Sequence, residues 1–370
     1  MLETATATRR IIFTGTSALI SHTVYSPTGH VLFELPTGVW ALPFSLRDRQ
    51  ATGEAFLVLP NACQPSVARD ATLVMLPNAA AASDARFAWI DRSGKTLRMI
   101  GDARGHLRHP RLSPDGGFIA FVRGSGADSD VWIYDVTRAA ERQLTFESTA
   151  DFWPVWSPDS RHIVYHCNNA VCARRADGAG APVQLVDAPA TEPSVSGDGR
   201  WMAFTREVRP GEPDIFAVDL TATGFTQRAT TTPRLVLAAP RVQVGPEISP
   251  DGRYVAYTSS EGGPFATFVS QFPSGEGKWQ VPLGFSQLPR WSVKGDRLYV
   301  LDELRRIVEL PVDLSASFEV GAPLTRISNN SLIGGYDVSR DGNEFLLPVA
   351  PATALASGRL LVVQNWKGPR

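Results

Sequence analysis

At 370 residues, with 43% hydrophobic content, 31 glycines and 28 prolines, the chain has the composition of a turn-rich globular protein with a full core, which excludes disorder as its main state. Its 36 basic and 37 acidic residues nearly cancel, so no overall field draws it to nucleic acid or anionic lipid. No window approaches the roughly 18 apolar residues of a membrane span, and residues 1–20 lack a signal peptide's basic start and continuous apolar run, so as written the protein is expected to be soluble and cytoplasmic, or extracytoplasmic as part of a longer protein.

After a tail at 1–8, the run RRIIFTG (9–15) is an apolar strand without a repeat of its own. From there a pattern recurs: an apolar run ending in Ser, a turn of SPDG type, then two further apolar runs. The Ser or its equivalent stands at Ser26, Ala68, Ser113, Ser157, Ser196, Ser249, Ser292 and Ser339, with 39 to 53 residues between successive anchors. That period matches the roughly 40–50 residues of a four-stranded propeller blade. Within SPDG, Pro fixes φ at the second turn position, Asp bonds backbone amides ahead of it, and Gly accepts positive φ. The runs VLFEL, FIAFV, WMAFT and RLYVL then read as second strands, and VWALPF, FAWID, VWIYDV and IFAVDL as third strands. LDELRRIVEL (301–310) is built of helix formers, but its repeat position makes LYVLD and IVELPV strands with ELRR as their turn.

The expected fold is therefore all-β: one eight-bladed propeller of four-stranded antiparallel blades over residues 9–366, with a short tail at 367–370. The eighth unit supplies GGYDVS, EFLLP and RLLVVQNW but no fourth strand, so 9–15 is expected to complete that blade and close the ring. Seven blades is the alternative, if residues 64–100 are absorbed elsewhere. The widest anchor spacing places extra chain at 221–245, expected to lengthen the loop between fourth and first strands.

Propeller chemistry concentrates where innermost strands converge, so the first strands are compared by column. Strict alternation puts the residues two and four before each anchor on the same side. This column holds Arg111, Glu247, Arg290 and Asp337 at the first position, and His22, Gln64, His109, Trp153 and Glu192 at the second. Asp151 and Gln287 stand just above them, at the face of the loops joining fourth to first strands. These residues either neutralise one another around a narrow channel or grip a small anionic ligand through Arg111 or Arg290, with Trp153 as a stacking face. His22, His109 and Glu192 carry no metal-binding spacing signature, and no metal or cofactor is expected. His162 and His166 fall on one side of a hairpin as exposed polar positions. Cys167 and Cys172 flank the turn NNAV; two reduced strand cysteines are the expectation, with pairing across the hairpin left open.

GxSxG, HExxH, GxxxxGK[ST] and CxxC are all absent. The SPDG-plus-IAF repeats resemble the TolB-type, WD-repeat-like propellers. FWPVWSPDSRHIVYH, GKWQVPLGFSQLPRWSVKGDRLYVL, GYDVSRDGNEFLL and LLVVQNW further resemble propeller regions C-terminal to bacterial serine/threonine kinases and winged-helix regulators. The resemblance implies a non-catalytic sensory or binding module that engages a protein, peptide or small ligand around the channel. With no kinase motif in the chain, no kinase activity carries over. The alternative is a propeller lyase acting on an acidic sugar, with Arg111 or Arg290 on the substrate carboxylate and His109 as general base.

Overall fold

The computed structural model describes residues 2–3, 8–9, 21–35, 37–60, 62–77, 85–103, 105–328, 334–349 and 361–367. The chain divides into two compact units, 84–349 and a discontinuous unit of 1–83 with 350–370.

Residues 84–349 form six antiparallel sheets. The first blade is Leu107–Leu112, Phe118–Arg123, Asp130–Asp135 and Ala140–Gln143, paired in that order as strands a to d. The second runs from Phe152 to Val186, the third from Thr191 to Leu237 and the fourth from Gln243 to Gln280, all with the same a–b–c–d order. In the fifth, Glu319–Val320 and Thr325–Ile327 both pair with the third strand, Ile307–Asp313. The predicted ELRR turn holds, with Arg297–Leu301 paired to Ile307–Asp313 and the Asp302 carboxylate accepting from the amides of Leu304 and Arg306.

The turn chemistry behind the repeat recurs from blade to blade. Ser113 Oγ donates to Asp115 Oδ1 at 2.6 Å and accepts from the Phe118 amide at 2.9 Å, which closes the a–b turn on the head of strand b. Ser157 with Asp159, Ser249 with Asp251 and Ser339 with Asp341 repeat this clasp. Gly116 takes φ of 77° in the turn, which is why glycine holds that place.

The sixth blade differs from the sequence expectation. Its first two strands, Asp337–Val338 and Glu344–Val349, are completed by Arg86–Asp91 and Thr96–Ile100. FAWID, expected as the third strand of the second repeat, is thus the third strand of the last blade. Ala88 and Ile90 are buried with Phe345 and Leu347 from the same sheet and with Tyr299, Leu301 and Ile307 from the fifth, so the fifth and sixth blades share one core. Six sheets lie within residues 84–349, and the last of them is completed by 86–91 rather than by 9–15. The physical reason is burial: FAWID offers Phe87, Ala88, Trp89 and Ile90, each 8% exposed or less, to the edge of Glu344–Val349. Of the predicted closing strand, Arg9 pairs with Leu2 and the remaining residues lie outside the described residues.

Among the described residues the other unit holds three sheets. Leu2–Glu3 and Thr8–Arg9 form a two-stranded one, Ser21–Ser26, His30–Leu35, Gly38–Ser45, Gln50–Ala51 and Phe56–Pro60 a second, and Ala62–Val67, Leu73–Pro77 and Leu361–Val363 the third. LVV, expected in the eighth blade, pairs here with Leu73–Met75. Leu32, Val39, Ala41, Ala62, Leu73 and Met75 make its core.

Two further expectations change. The extra length of the third repeat lies in a long b–c hairpin, Trp201–Arg209 with Glu212–Asp219, and in the c–d connection before Arg234, leaving only residues 238–242 between strand d and the next strand a. Cys167 and Cys172 are disulfide-bonded rather than reduced. The turn is two residues, Asn168 and Asn169, both at positive φ, which places Cys172 opposite Tyr165 and diagonal to Cys167 with Cα atoms 5.8 Å apart.

Expressed alone, residues 84–349 should unfold in one cooperative transition, and the same fragment without 84–100 should lose it; a non-cooperative 84–349 overturns the assigned closure. Under denaturing, non-reducing conditions a maleimide should label Cys63 alone among the three cysteines; three labelled thiols would show that the hairpin disulfide does not form.

Candidate functional site

The innermost strands do not alternate as expected, because five of the six carry a proline three residues before the anchor. Pro110, Pro154, Pro193, Pro246 and Pro289 have no N–H to give to strand b, and each pairing skips from five to two residues before the anchor. The ladder in the first blade jumps from Arg108–Val122 to Arg111–Ala120. The residue before each proline takes positive φ: 53° at His109, 50° at Trp153 and Glu192, 62° at Gly245 and 53° at Leu288. Four strained non-glycine residues thus stand in equivalent places, and their side chains leave the column of Arg111 and Glu247.

That column converges on the ring axis. Arg111 donates from Nη1 and Nη2 to both carboxylate oxygens of Glu247, at 2.9 and 2.7 Å. The partners belong to the first and fourth of six blades, so the bidentate pair reaches across the channel. Arg290 Nη1 lies 3.4 Å from the same carboxylate and donates to the Pro289 carbonyl at 2.7 Å. Asp337 Oδ2 accepts from the Leu112 amide at 2.7 Å, joining the sixth blade to the first. Burial would push the Glu247 carboxyl up, but Arg111 and Arg290 hold it below its ordinary range. Burial raises Asp337 against the same two guanidiniums, and it lowers Arg290, which also faces Arg111. Of the two sequence expectations for this ring, the geometry carries mutual neutralisation.

The remaining candidates separate. Glu192 Oε2 accepts from Thr205 Oγ1 and from the Gly245 amide, both at 2.8 Å, and so ties the third blade to the fourth. The His109 amide donates to the Gly334 carbonyl at 2.7 Å. Burial, with Arg108, Arg290 and Arg111 nearby, pushes the His109 imidazole down to about 3, so it is neutral and a poor base. Its ring meets Trp153 edge-on at 5.5 Å, and Trp153 in turn meets Phe152 at 5.5 Å and His166 at 5.9 Å. His166, expected to be an exposed hairpin position, belongs to this aromatic group, and burial lowers it to about 4. Sequence columns missed it because it sits at the end of strand b. Gln287 opens the first strand of the fifth blade, half-buried at the same face. His22 and Gln64 belong to the other unit, where the Gln64 amide donates to Glu34 Oε2.

Asp151 is fully buried where the chain enters the second blade, and its amide donates to the Ser129 carbonyl at 2.7 Å. Burial raises its carboxyl to about 7, opposed by the Thr145 hydroxyl and reinforced by Glu147 and Asp130. Between about pH 4 and 7 the folded chain therefore holds a proton there that the unfolded chain releases, and stability falls as pH rises through that window. Asp151→Asn should flatten this slope in melting temperatures taken from about pH 5 to 8; an unchanged slope would contradict it. Glu247→Gln leaves two guanidiniums unpaired in the channel and should cost about 3–5 kcal/mol in denaturant unfolding, with most of the loss recovered in Glu247→Gln/Arg111→Met.

No family model matches the sequence. Among solved structures, a TolB structure from Agrobacterium tumefaciens aligns with a TM-score of 0.56 at 17% identity, over 73% of this chain and 99% of that one. The hydrazine synthase of Kuenenia stuttgartiensis aligns at 0.51 and 16% identity over 85% and 98%, and a chain of the nidogen/laminin complex at 0.50 and 8% over 72% and 98%. At these identities the likeness is one of architecture, and it agrees with the ring of sheets described above: the chain has a TolB-like β-propeller fold.

Proposed function

We propose that residues 84–349 are a non-catalytic binding module that engages a protein or peptide on the face of the d–a loops. The observation that carries this is the aromatic group of His109, Phe152, Trp153 and His166, set at that face over a channel whose charges are already spent on one another. Aromatic side chains are frequent anchors of protein interfaces, because they bury large area for few rotamers. The long hairpin Trp201–Asp219 turns at the same face and leaves Val208 53% exposed, which supports a raised contact wall beside the mouth. The resemblance to propeller regions of kinases and winged-helix regulators favours the same role. The lyase alternative gains nothing from the geometry: Arg111 has both terminal nitrogens on Glu247, and His109 lacks the basicity of a general base. The Cys167–Cys172 bond supports an extracytoplasmic, oxidising location over the cytoplasmic one.

A displayed peptide library panned on the immobilised protein should yield peptides whose binding falls by about thirtyfold in Trp153→Ala, the scale of one interface anchor. Binding should be unchanged in Arg161→Ala, at the opposite end of the sheets. Enriched peptides indifferent to Trp153, or none at all, would overturn the assignment of this face.

A further inference from the structure

A cleft of about 600 Å³ opens between the first and second blades at the other end of the sheets, among the a–b and c–d turns. Its volume falls in the range of small-molecule sites, and its position separates it from the channel and the aromatic group. Its apolar part comes from Ile133, Ala176 and the rings of Phe118 and Trp156, which lie 6.1 Å apart at 31°. Trp156 is fixed in place because its indole Nε1 donates to the Arg111 carbonyl at 2.9 Å.

Four guanidiniums line the same cleft: Arg138 and Arg142 from the first blade, Arg161 and Arg175 from the second. Two are paired. Arg138 meets Asp135 at 2.9 Å, and Arg175 donates from Nε to Asp177 at 3.1 Å. The remaining carboxylate, Glu141, is held by Arg123 at 2.7 Å. That leaves Arg142 and Arg161, one on each wall, with no side-chain hydrogen bond or close ion pair among the described residues, Arg142 facing Asp135 and Asp177 and Arg161 facing Asp159 only at longer range. The cleft thus sets two guanidiniums that have no hydrogen-bonded carboxylate above an apolar, aromatic lining.

We propose that this cleft binds a small organic anion with an apolar body, the body against Phe118 and Trp156 and the anionic group between Arg142 and Arg161. Planar guanidinium forks suit both carboxylate and phosphate oxygens, and a neutral analogue of the same shape would leave them unanswered. The charge on the ligand is therefore the main determinant, with the ring contributing burial.

Isothermal titration of the intact protein with phenylacetate, phenyl phosphate and neutral phenylacetamide tests this directly. The anions should bind and the amide should not, and the stronger of the two anions identifies carboxylate or phosphate as the preferred group. Arg142→Ala/Arg161→Ala, checked for an unchanged melting temperature, should weaken binding by about tenfold or more. If that variant fails to fold, the single change Arg161→Glu, at an exposed position, should give the same loss. No heat from either anion up to about 10 mM, equal binding of the amide, or affinity indifferent to both arginines would overturn the proposal.

Discussion

Proline's missing N–H in the innermost strands governs most of what this propeller presents at its core. A proline cannot join a ladder on both sides, so each strand carrying one must skip, and the preceding residue takes up the turn with a left-handed backbone. The consequence is directional. Residues two before the anchor stay in register and point to the axis, where Arg111, Glu247, Arg290 and Asp337 meet. Residues four before it are swung out of that column, which is how His109 and Trp153 come to pack on each other while Glu192 reaches sideways to the next blade.

The ring closes by a rule that also explains the second unit. Arg86 pairs with Val349, so the two ends of residues 84–349 leave the ring side by side. Chain ends that lie together let a domain be inserted within another without strain. The remaining chain behaves accordingly: Leu73–Pro77 before the insertion pairs with Leu361–Val363 after it. The last blade thus joins strands from the two ends of 84–349, and the sheet of Leu73–Pro77 takes a strand from beyond that segment.

Much of this was legible in the sequence because it is local. The Ser–Asp clasp needs only residues two to five apart, so SPDG and its variants marked every a–b turn, and repeat position correctly overrode the helical composition of LDELRRIVEL. What was not legible depends on choices between equivalent partners. FAWID and LLVVQNW are both acceptable third strands, and nothing local in either says which sheet it completes. The bulge was visible as X-Pro in five strands, but strict alternation hid its effect on the columns. Glu192 and Asp151 resembled free ligand groups because a sequence shows a carboxylate without showing whether Thr205, Gly245 or sheer burial has already claimed it.

The channel pair then decides where recognition is left to occur. A bidentate ion pair across a narrow axis gives up much of its Coulomb gain to desolvation, so it adds little net stability, yet removing one partner leaves an uncompensated buried charge. Such a group resists both displacement and rearrangement, and an incoming anion would have to compete with Glu247 for donors it already saturates. The two ends of the sheets carry no such constraint, and they differ in chemistry. One end gathers rings around Trp153, and the other gathers guanidiniums around Trp156. The two recognition surfaces proposed here therefore lie off the neutralised axis and differ in chemistry, one aromatic and one rich in guanidinium.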